Sequence, residues 1–130
     1  MNILAIDDDI STLDTLKSIL DFEGVKVFAF ESMPQNILFT PDLIVLDLYM
    51  PGKSGIEICR EIKKNNKLKN VPVVMLSSSQ DIKDKIKSLQ AGAIEYIEKP
   101  IIKDTLLKSI TKYIHIGKIF NSMSLIIGNK

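Results

Sequence analysis

The sequence lacks the features that mark secreted and membrane-spanning proteins. Among its 130 residues there is one cysteine, Cys59, which excludes an internal disulfide. The first ten residues carry no basic segment and already include three aspartates, before any long apolar stretch. No apolar run approaches the roughly 20 residues that a membrane-spanning helix needs. We therefore expect a soluble, cytoplasmic protein that makes no membrane contact.

An excess of charge of one sign is also missing, because 17 basic residues nearly balance 16 acidic ones. No global basic field would attract nucleic acid, and we expect no direct nucleic-acid binding by this segment. Neither G-x-G-x-x-G nor a P-loop follows any apolar run, which argues against a nucleotide-binding domain. The length suits one domain, so function must come from the placement of a few side chains.

What the sequence does contain is an alternation of short apolar segments with amphipathic ones, which predicts parallel β-α units. The first, third and fourth strand candidates are apolar throughout, as expected of strands covered on both faces. Five strands are predicted: Ile3–Ile6, Lys26–Ala29, Leu43–Leu46, Val73–Leu76 and Tyr96–Glu98. The expected fold class is α/β, a doubly wound five-stranded parallel sheet flanked by five helices.

Capping residues and helical spacing locate four of these helices. They are expected to begin near Ser11, where Ser-Thr-Leu-Asp14 forms a capping box, and near Ser54, Ser79 and Ile102. The first should stop at Gly24. The residues expected to face the core are Leu13, Leu16, Leu20, Ile56, Cys59, Ile62, Ile82, Ile86, Leu89, Leu106, Ile110 and Tyr113.

The helical signal is weakest between Glu31 and Thr40. Pro34 fits only the first turn of a helix, and little room remains before Pro41. We expect one short helix there.

Polar side chains end several of the predicted strands. Asp7 and Asp8 follow the first strand, Asp47 the third, Ser77 the fourth, and Lys99 the fifth. Because open parallel sheets bind ligands beyond the carboxyl ends of their strands, we expect these residues to meet in one crevice. Carboxylates are hard oxygen ligands that suit Mg²⁺, and a lysine and a hydroxyl can contact phosphoryl oxygens.

Within this group, Asp47 is the natural nucleophile, because an aspartate can accept a phosphoryl group as an acyl phosphate. The metal ligands would be Asp8, Asp47 and the backbone carbonyl of Tyr49, with Asp7 holding a metal-bound water. The backbone amide of Ser78 would add a donor to the phosphoryl group.

Four ordered segments resemble the receiver domains of two-component response regulators, including the chemotaxis regulators. They are Ile6-Asp-Asp8, Leu46-Asp-Leu-Tyr-Met-Pro-Gly52 with Gly55 following, Pro72-Val-Val-Met-Leu-Ser-Ser78, and Tyr96-Ile-Glu-Lys-Pro100. The resemblance covers residues 1–116 and leaves 117–130 as a C-terminal tail or the start of a linker.

The resemblance implies a flavodoxin-like strand order, 2-1-3-4-5, and a signalling receiver that catalyses only its own phosphorylation and dephosphorylation. Asp47 would take a phosphoryl group from a histidine kinase or phosphotransfer protein, with Mg²⁺ held by Asp7 and Asp8 and with Lys99 on the phosphoryl group. Ser77 and Tyr96 would be the switch pair, and the Lys99-Pro100 peptide would be cis. A downstream protein or output domain would read the switch, and the last two helices offer a possible homodimer surface.

Three positions depart from or vary within the family pattern. Ser54 stands where receivers often have Asp or Asn, but serine can also cap the following helix. Tyr49 and Ser79 occupy positions that tune the phosphate lifetime in receivers. A bulky Tyr49 beside the phosphate would hinder the hydrolytic water, so we expect slow autodephosphorylation.

Other interpretations of these residues stay open. Each strand-end aspartate alone could be a helix cap, Ser77 a backbone-bonding hydroxyl, and Tyr96 packing. Asp7-Asp-Asp9-Ile-Ser11 also resembles the nucleophile loop of haloacid-dehalogenase-type phosphatases, with Asp7 attacking and Asp9 as acid and base. That alternative leaves Asp47 and its Met-Pro-Gly turn unexplained. A third hypothesis is an interaction module that needs no phosphorylation.

Overall fold

The computed structural model describes residues 1–22 and 24–113, which form alternating strands and helices. In chain order they are β1 (Asn2–Ile6), α1 (Ile10–Ile19), β2 (Lys26–Phe30), β3 (Leu43–Asp47), α2 (Gly55–Lys64), β4 (Val73–Ser77), α3 (Ile82–Gln90), β5 (Glu95–Glu98) and α4, described over 103–113. All five predicted strands are present, within a residue of their expected bounds.

The five strands form one parallel sheet in the order β2-β1-β3-β4-β5. The predicted order is therefore confirmed, with β2 and β5 at the edges. In the register, Ile6 of β1 pairs with Leu46, and Asp47 pairs with Leu76 of β4. The carboxyl ends of β1, β3 and β4 consequently lie side by side.

Alternate residues of each buried strand pack into two separate cores. Ile44 and Leu46 face α2, where Ile58, Cys59 and Ile62 are buried against them. The opposite face takes its helix contacts from buried side chains of α1 and α4: Leu13, Leu16, Leu20, Leu106 and Ile110. This alternation follows from the two-residue period of a strand, and it covers both faces of the sheet.

The helix expected between Glu31 and Thr40 is absent. This segment contains neither helix nor strand, so the described residues have four helices around the sheet instead of five. Pro34 and Pro41 remove two backbone donors, and the residue before each proline is driven toward extended backbone. The segment is held by other contacts, including a stack of Phe39 on Phe28 with ring centroids 4.0 Å apart.

Helix α1 begins within a residue of its predicted start but has a different cap, and α3 begins later than predicted. Helix α1 is capped by Asp9, whose carboxylate accepts the Ser11 amide at 3.0 Å, so Ser11 lies inside the helix. Helix α3 is capped by Asp81 and starts after Ser79. In both cases an aspartate takes the cap position because its carboxylate satisfies amides that the helix leaves unpaired.

The apolar stripe of α3 faces outward, contrary to expectation. Ile82, Ile86 and Leu89 are 62%, 47% and 44% exposed. The buried side of this helix is instead Ser88, followed by Ala91 just beyond the helix. Helical spacing shows which residues share a face, but it does not show which face the sheet covers.

The predicted end of α1 at Gly24 is wrong, because the helix ends at Ile19 with Leu20 as its cap. The remaining helix predictions agree largely with the structure. In α2, Cys59 and Ile62 are buried, but Ile56 is only partly buried and Ile58 takes an inner position that was not predicted. In α4, Leu106 and Ile110 are buried and Tyr113 is partly buried. The tail, 117–130, and the predicted boundary at residue 116 lie outside the described residues. No helix over 1–22 and 24–113 is long and apolar enough to cross a membrane.

Candidate functional site

The site lies at the carboxyl edge of the sheet, where three carboxylates converge. Asp7 and Asp8 follow β1, and Asp47 is the last residue of β3. Ligand oxygens from these three residues lie within 4.8 Å of one another. Asp7 and Asp47 are buried, whereas Asp8 is exposed. Such a cluster requires a positive partner, because buried carboxylates repel one another.

Lys99, which follows β5, supplies that positive charge. Its Nζ lies 2.7 Å from Oδ2 of Asp7 and 3.3 Å from Oδ1 of Asp47. The backbone amide of Lys99 donates to the Ser77 carbonyl at 2.7 Å, and the following Lys99-Pro100 peptide is cis. One lysine therefore bridges the ends of β1 and β3 from the far edge of the sheet.

The local electrostatics keep Asp47 close to its titration range at neutral pH. Burial, followed by the charge of Asp7, raises the pKa of Asp47 to about 6, while Lys99 opposes this rise. Burial acts to lower the pKa of Lys99, but its contacts with the two carboxylates outweigh burial and raise it. Near pH 7 the favoured state therefore has an ionised Asp47 beside an ammonium group.

The carboxylate set fits a divalent cation. Oδ2 of Asp7 is buried, and the Lys99 ammonium group lies 2.7 Å from it. Three carboxylates whose oxygens converge form a donor set for a hard cation, because one lysine offsets only part of their negative charge. The residues that could hold a metal are thus Asp7, Asp8 and Asp47.

The turn after Asp47 depends on two glycines. Gly52 has φ +85°, a conformation that other residues rarely adopt. A Cβ at Gly55 would lie 2.2 Å from the backbone oxygen of Asp47, so only glycine lets the start of α2 pass this close to β3. Ser54 caps α2 by accepting the Glu57 amide, as predicted. Together these residues hold the β3–α2 loop, defined here as residues 48–54, against the site.

Ser77 and Tyr96 lie on neighbouring strands beside the cluster. The buried hydroxyl of Ser77 accepts the Ser79 amide at 3.0 Å. The hydroxyl of Tyr96, which is partly buried, donates to the Ser79 carbonyl at 2.8 Å. Both side chains therefore contact the loop after β4, and Ser78 in that loop is exposed.

One contact near the site was not foreseen from the sequence. Asp84, in the first turn of α3, accepts the hydroxyl of Tyr49 at 2.5 Å and that of Ser79 at 2.6 Å. Tyr49 and Asp84 are 35 positions apart. No local pattern links them, because only the packing of α3 beside the β3–α2 loop brings them together.

The model of the response regulator receiver domain family matches residues 3–111. The chain belongs to this family. It is a receiver domain of two-component response regulators, and the comparisons give no support for the haloacid-dehalogenase hypothesis. Asp9, which that hypothesis made the acid and base, is the cap of α1.

Two curated relatives illustrate the similarity. The cell cycle transcriptional regulator CtrA of Caulobacter vibrioides is 33% identical over 85% of this chain and 48% of its own length. The KDP operon transcriptional regulatory protein KdpE of Escherichia coli is 36% identical over 76% of this chain and 44% of its own length. The chain thus spans about half the length of the curated relatives it matches.

A solved structure shows the same fold over nearly its whole length. The chemotaxis protein CheY4 of Vibrio cholerae superposes with a TM-score of 0.76 at 26% identity, covering 86% of this chain and 97% of that one. The receiver fold is therefore shared with a chain of comparable size as well as with longer regulators.

Proposed function

We propose that Asp47 is the phosphoacceptor of this receiver domain. The observation that carries the proposal is the double ion pair of Lys99 with Asp7 and Asp47 at the carboxyl edge of the sheet. An ionised aspartate beside an ammonium group can attack a phosphoryl group whose charge that ammonium helps to neutralise. The chain would act as a signalling switch that catalyses only its own phosphorylation and dephosphorylation.

The transfer would begin from a phosphohistidine of a kinase or phosphotransfer protein. An Asp47 oxygen forms the bond to phosphorus as the P–N bond breaks, and the departing imidazole nitrogen keeps the electron pair and takes a proton from solvent. Lys99 neutralises charge on the phosphoryl oxygens, while the Ser77 hydroxyl and the Ser78 amide donate to them. Positioning supplies most of the catalysis in such transfers.

The proposed cofactor is Mg²⁺. Asp8, Asp47 and the Tyr49 carbonyl would be its ligands, with Asp7 holding a metal-bound water. Support comes from the clustering of the three carboxylates, whose negative charge Lys99 offsets only in part. When bound, the ion offsets the negative charge that gathers on the reacting oxygens.

The output would be a change of surface beside Ser77 and Tyr96. Phosphorylation adds negative charge that favours one of two arrangements of these side chains, and a partner reads the difference. The apolar stripe of α3, with Tyr96 and α4, is the surface we assign to a downstream protein, an output domain or a second copy. Exposed apolar side chains at helical spacing suit such a contact.

The extent of the domain is also a proposal. We assign the receiver to residues 1–116 and a tail or linker to 117–130. The chain spans about half of CtrA and KdpE, whose names describe transcriptional regulation, and we include an output domain of that kind among the proposed readers of the switch. We propose a cytoplasmic location, where a kinase partner would meet it.

Labelling with a small phosphodonor tests the phosphoacceptor. Wild-type protein treated with acetyl phosphate and Mg²⁺ should gain one acid-labile, hydroxylamine-sensitive phosphoryl group, which Asp47→Asn should abolish. Asp104→Asn provides the control, because Asp104 is exposed at the start of α4.

Mapping the label distinguishes the alternatives. Undiminished labelling of Asp47→Asn would overturn the proposal, and a label on Asp7 would favour the phosphatase hypothesis. Intact folding without labelling or any response to beryllofluoride would instead indicate the phosphorylation-independent module.

A further inference from the structure

Asp84 makes an unusual pair of contacts outside the acidic cluster. Its Oδ2 accepts two hydroxyl groups at once, from Tyr49 at 2.5 Å and from Ser79 at 2.6 Å. These hydrogen bonds, first that of Ser79 and then that of Tyr49, lower the pKa of Asp84, so the group is an ionised acceptor at neutral pH. Hydrogen bonds to a charged acceptor are stronger than those between neutral groups.

The three residues come from three different segments around the site. Tyr49 lies in the β3–α2 loop two positions after Asp47, Ser79 lies in the loop after β4, and Asp84 lies in α3. Because β4 is the neighbour of β3 in the sheet, a bond from Tyr49 to α3 carries the tyrosine across the carboxyl end of β4. Asp7 and Asp8 follow β1, which lies on the other side of β3 from β4.

Burial does not hold the tyrosine in that place. Tyr49 is 57% exposed, so an unrestrained ring would sample several rotamers in water. The hydroxyl contact with Asp84 is the one hydrogen bond of its side chain in the described residues. The position of the Tyr49 ring therefore depends on the carboxylate of Asp84.

We propose that Asp84 is a positioning residue that holds Tyr49 across the β4 side of the site and thereby prolongs the phosphorylated state of Asp47. This inference rests on the proposed phosphoacceptor role. In hydrolysis, a water oxygen forms a bond to phosphorus as the bond from phosphorus to the Asp47 oxygen breaks. Asp47 leaves as a carboxylate with the electron pair, and the water loses a proton to solvent. A Tyr49 ring that is held in place on the β4 side of the site leaves less room for that water to approach.

Ser79 completes the arrangement. Its hydroxyl orients the same carboxylate, and its carbonyl accepts the hydroxyl of Tyr96. The carboxylate that positions Tyr49 is thus directly connected to the loop that carries the switch residue Ser77. A movement of this loop on phosphorylation would reach Tyr49 through Asp84.

A double-mutant cycle tests the role of Asp84. Wild type, Tyr49→Phe, Asp84→Ala and the double variant are phosphorylated with acetyl phosphate, the donor is removed, and the decay of phosphorylated protein is followed. Each single change should shorten the lifetime about five-fold, which corresponds to about 1 kcal/mol. The double variant should match Asp84→Ala within about two-fold, because the bond that Tyr49→Phe removes is already lost in that variant.

Two further variants separate positioning from a general effect on α3. Asp84→Asn keeps an oxygen that can accept from Tyr49 and should restore most of the lifetime. Asp81→Ala removes the cap of the same helix, whose carboxylate contacts the Lys83 amide instead of Tyr49, and should leave the lifetime unchanged. Thermal unfolding of each variant verifies that it is folded.

The possible outcomes are distinct. Additive effects, a longer lifetime in Tyr49→Phe, or an equal effect of Asp81→Ala would overturn the role of Asp84 while Asp47 still labels. Failure of wild-type protein to label at Asp47 would overturn the proposed function itself.

Discussion

At the scale of single residues, the site balances negative charge against one cation. Asp47 is only 4% exposed, and burial together with Asp7 raises its pKa to about 6. Lys99 compensates part of this cost by contacting both buried carboxylates. The arrangement stores unfavourable charge at the point where a phosphoryl group and a cation would bind, which is typical of functional sites.

The cost of this charge predicts a stabilising substitution. The pKa of Asp47 is about 6 in the folded protein and near 3.8 in the unfolded chain, so the folded state binds more protons between these values. Stability consequently falls as pH rises from about 4 to about 6. Without metal, Asp47→Asn should raise the free energy of unfolding at pH 7 by on the order of 1–2 kcal/mol.

Urea unfolding in the presence of a chelator measures this effect. The gain should shrink as pH falls through about 6 and disappear below about pH 3, where Asp47 is protonated in both folded and unfolded wild-type protein. Asp104→Asn should show no such pH-dependent gain. A destabilised Asp47→Asn at pH 7 would contradict the charge argument.

Lys99 gives a second prediction at this scale. Replacing it with methionine keeps an aliphatic chain but removes the cation that lowers the pKa of Asp47. In Lys99→Met, that pKa should rise above about 6 by about one unit or more, because loss of a close opposite charge disfavours the carboxylate. Carboxyl NMR titration of metal-free protein measures it, and the exposed Lys108→Met serves as control. An unchanged titration would show that the ion pair is unimportant.

At the scale of elements, α3 differs most from expectation. Its isoleucine and leucine stripe lies outside, while Ser88 and Ala91 pack inward. Small inner residues let the helix lie close to the sheet, and the exposed stripe is then available to a partner. The same helix presents Asp84 to Tyr49, so it lies between the site and the proposed readout surface.

The exposure of α3 predicts tolerance to substitution. Ile86→Lys should change the free energy of unfolding by no more than about 1 kcal/mol, because nearly half of the residue is exposed. Leu106→Ala in α4 should cost about 2–5 kcal/mol, since Leu106 is fully buried. Denaturant unfolding compares the two. A comparable loss in Ile86→Lys would mean that α3 buries its stripe in solution.

At the scale of the whole molecule, the parallel sheet brings distant residues to one edge. β1, β3 and β4 are central neighbours, so Asp7, Asp47 and Ser77 meet although they are far apart in sequence. The segment 31–42 crosses to β3 without a helix, yet the register of β1 with β2 and β3 is regular. The loss of that helix therefore leaves the geometry of the acidic edge intact.

Binding of Mg²⁺ should stabilise the folded molecule. A ligand that binds only the folded state adds RT ln(1 + [L]/Kd), which is about 1.4 kcal/mol for about 10 mM ion and a Kd of about 1 mM. The melting temperature should rise with Mg²⁺ in wild type, and Asp8→Asn should lose most of the rise. Asp14→Asn, exposed on α1, should keep it. An equal rise in Asp8→Asn would place the ion elsewhere.

The sequence by itself determined the five strands, their parallel α/β arrangement and the polar residues that end them. Those features depend on local chemistry, because continuous apolar runs must be buried and a polar residue marks the point where each run ends. The same reasoning failed for the caps at Asp9 and Asp81 and for the missing helix, where several polar or proline residues compete within a few positions. Only the tertiary structure decided that the α3 stripe faces solvent, that Lys99 pairs with both Asp7 and Asp47, and that Asp84 holds Tyr49. These outcomes depend on which elements are neighbours across the sheet, and no spacing along the chain encodes that.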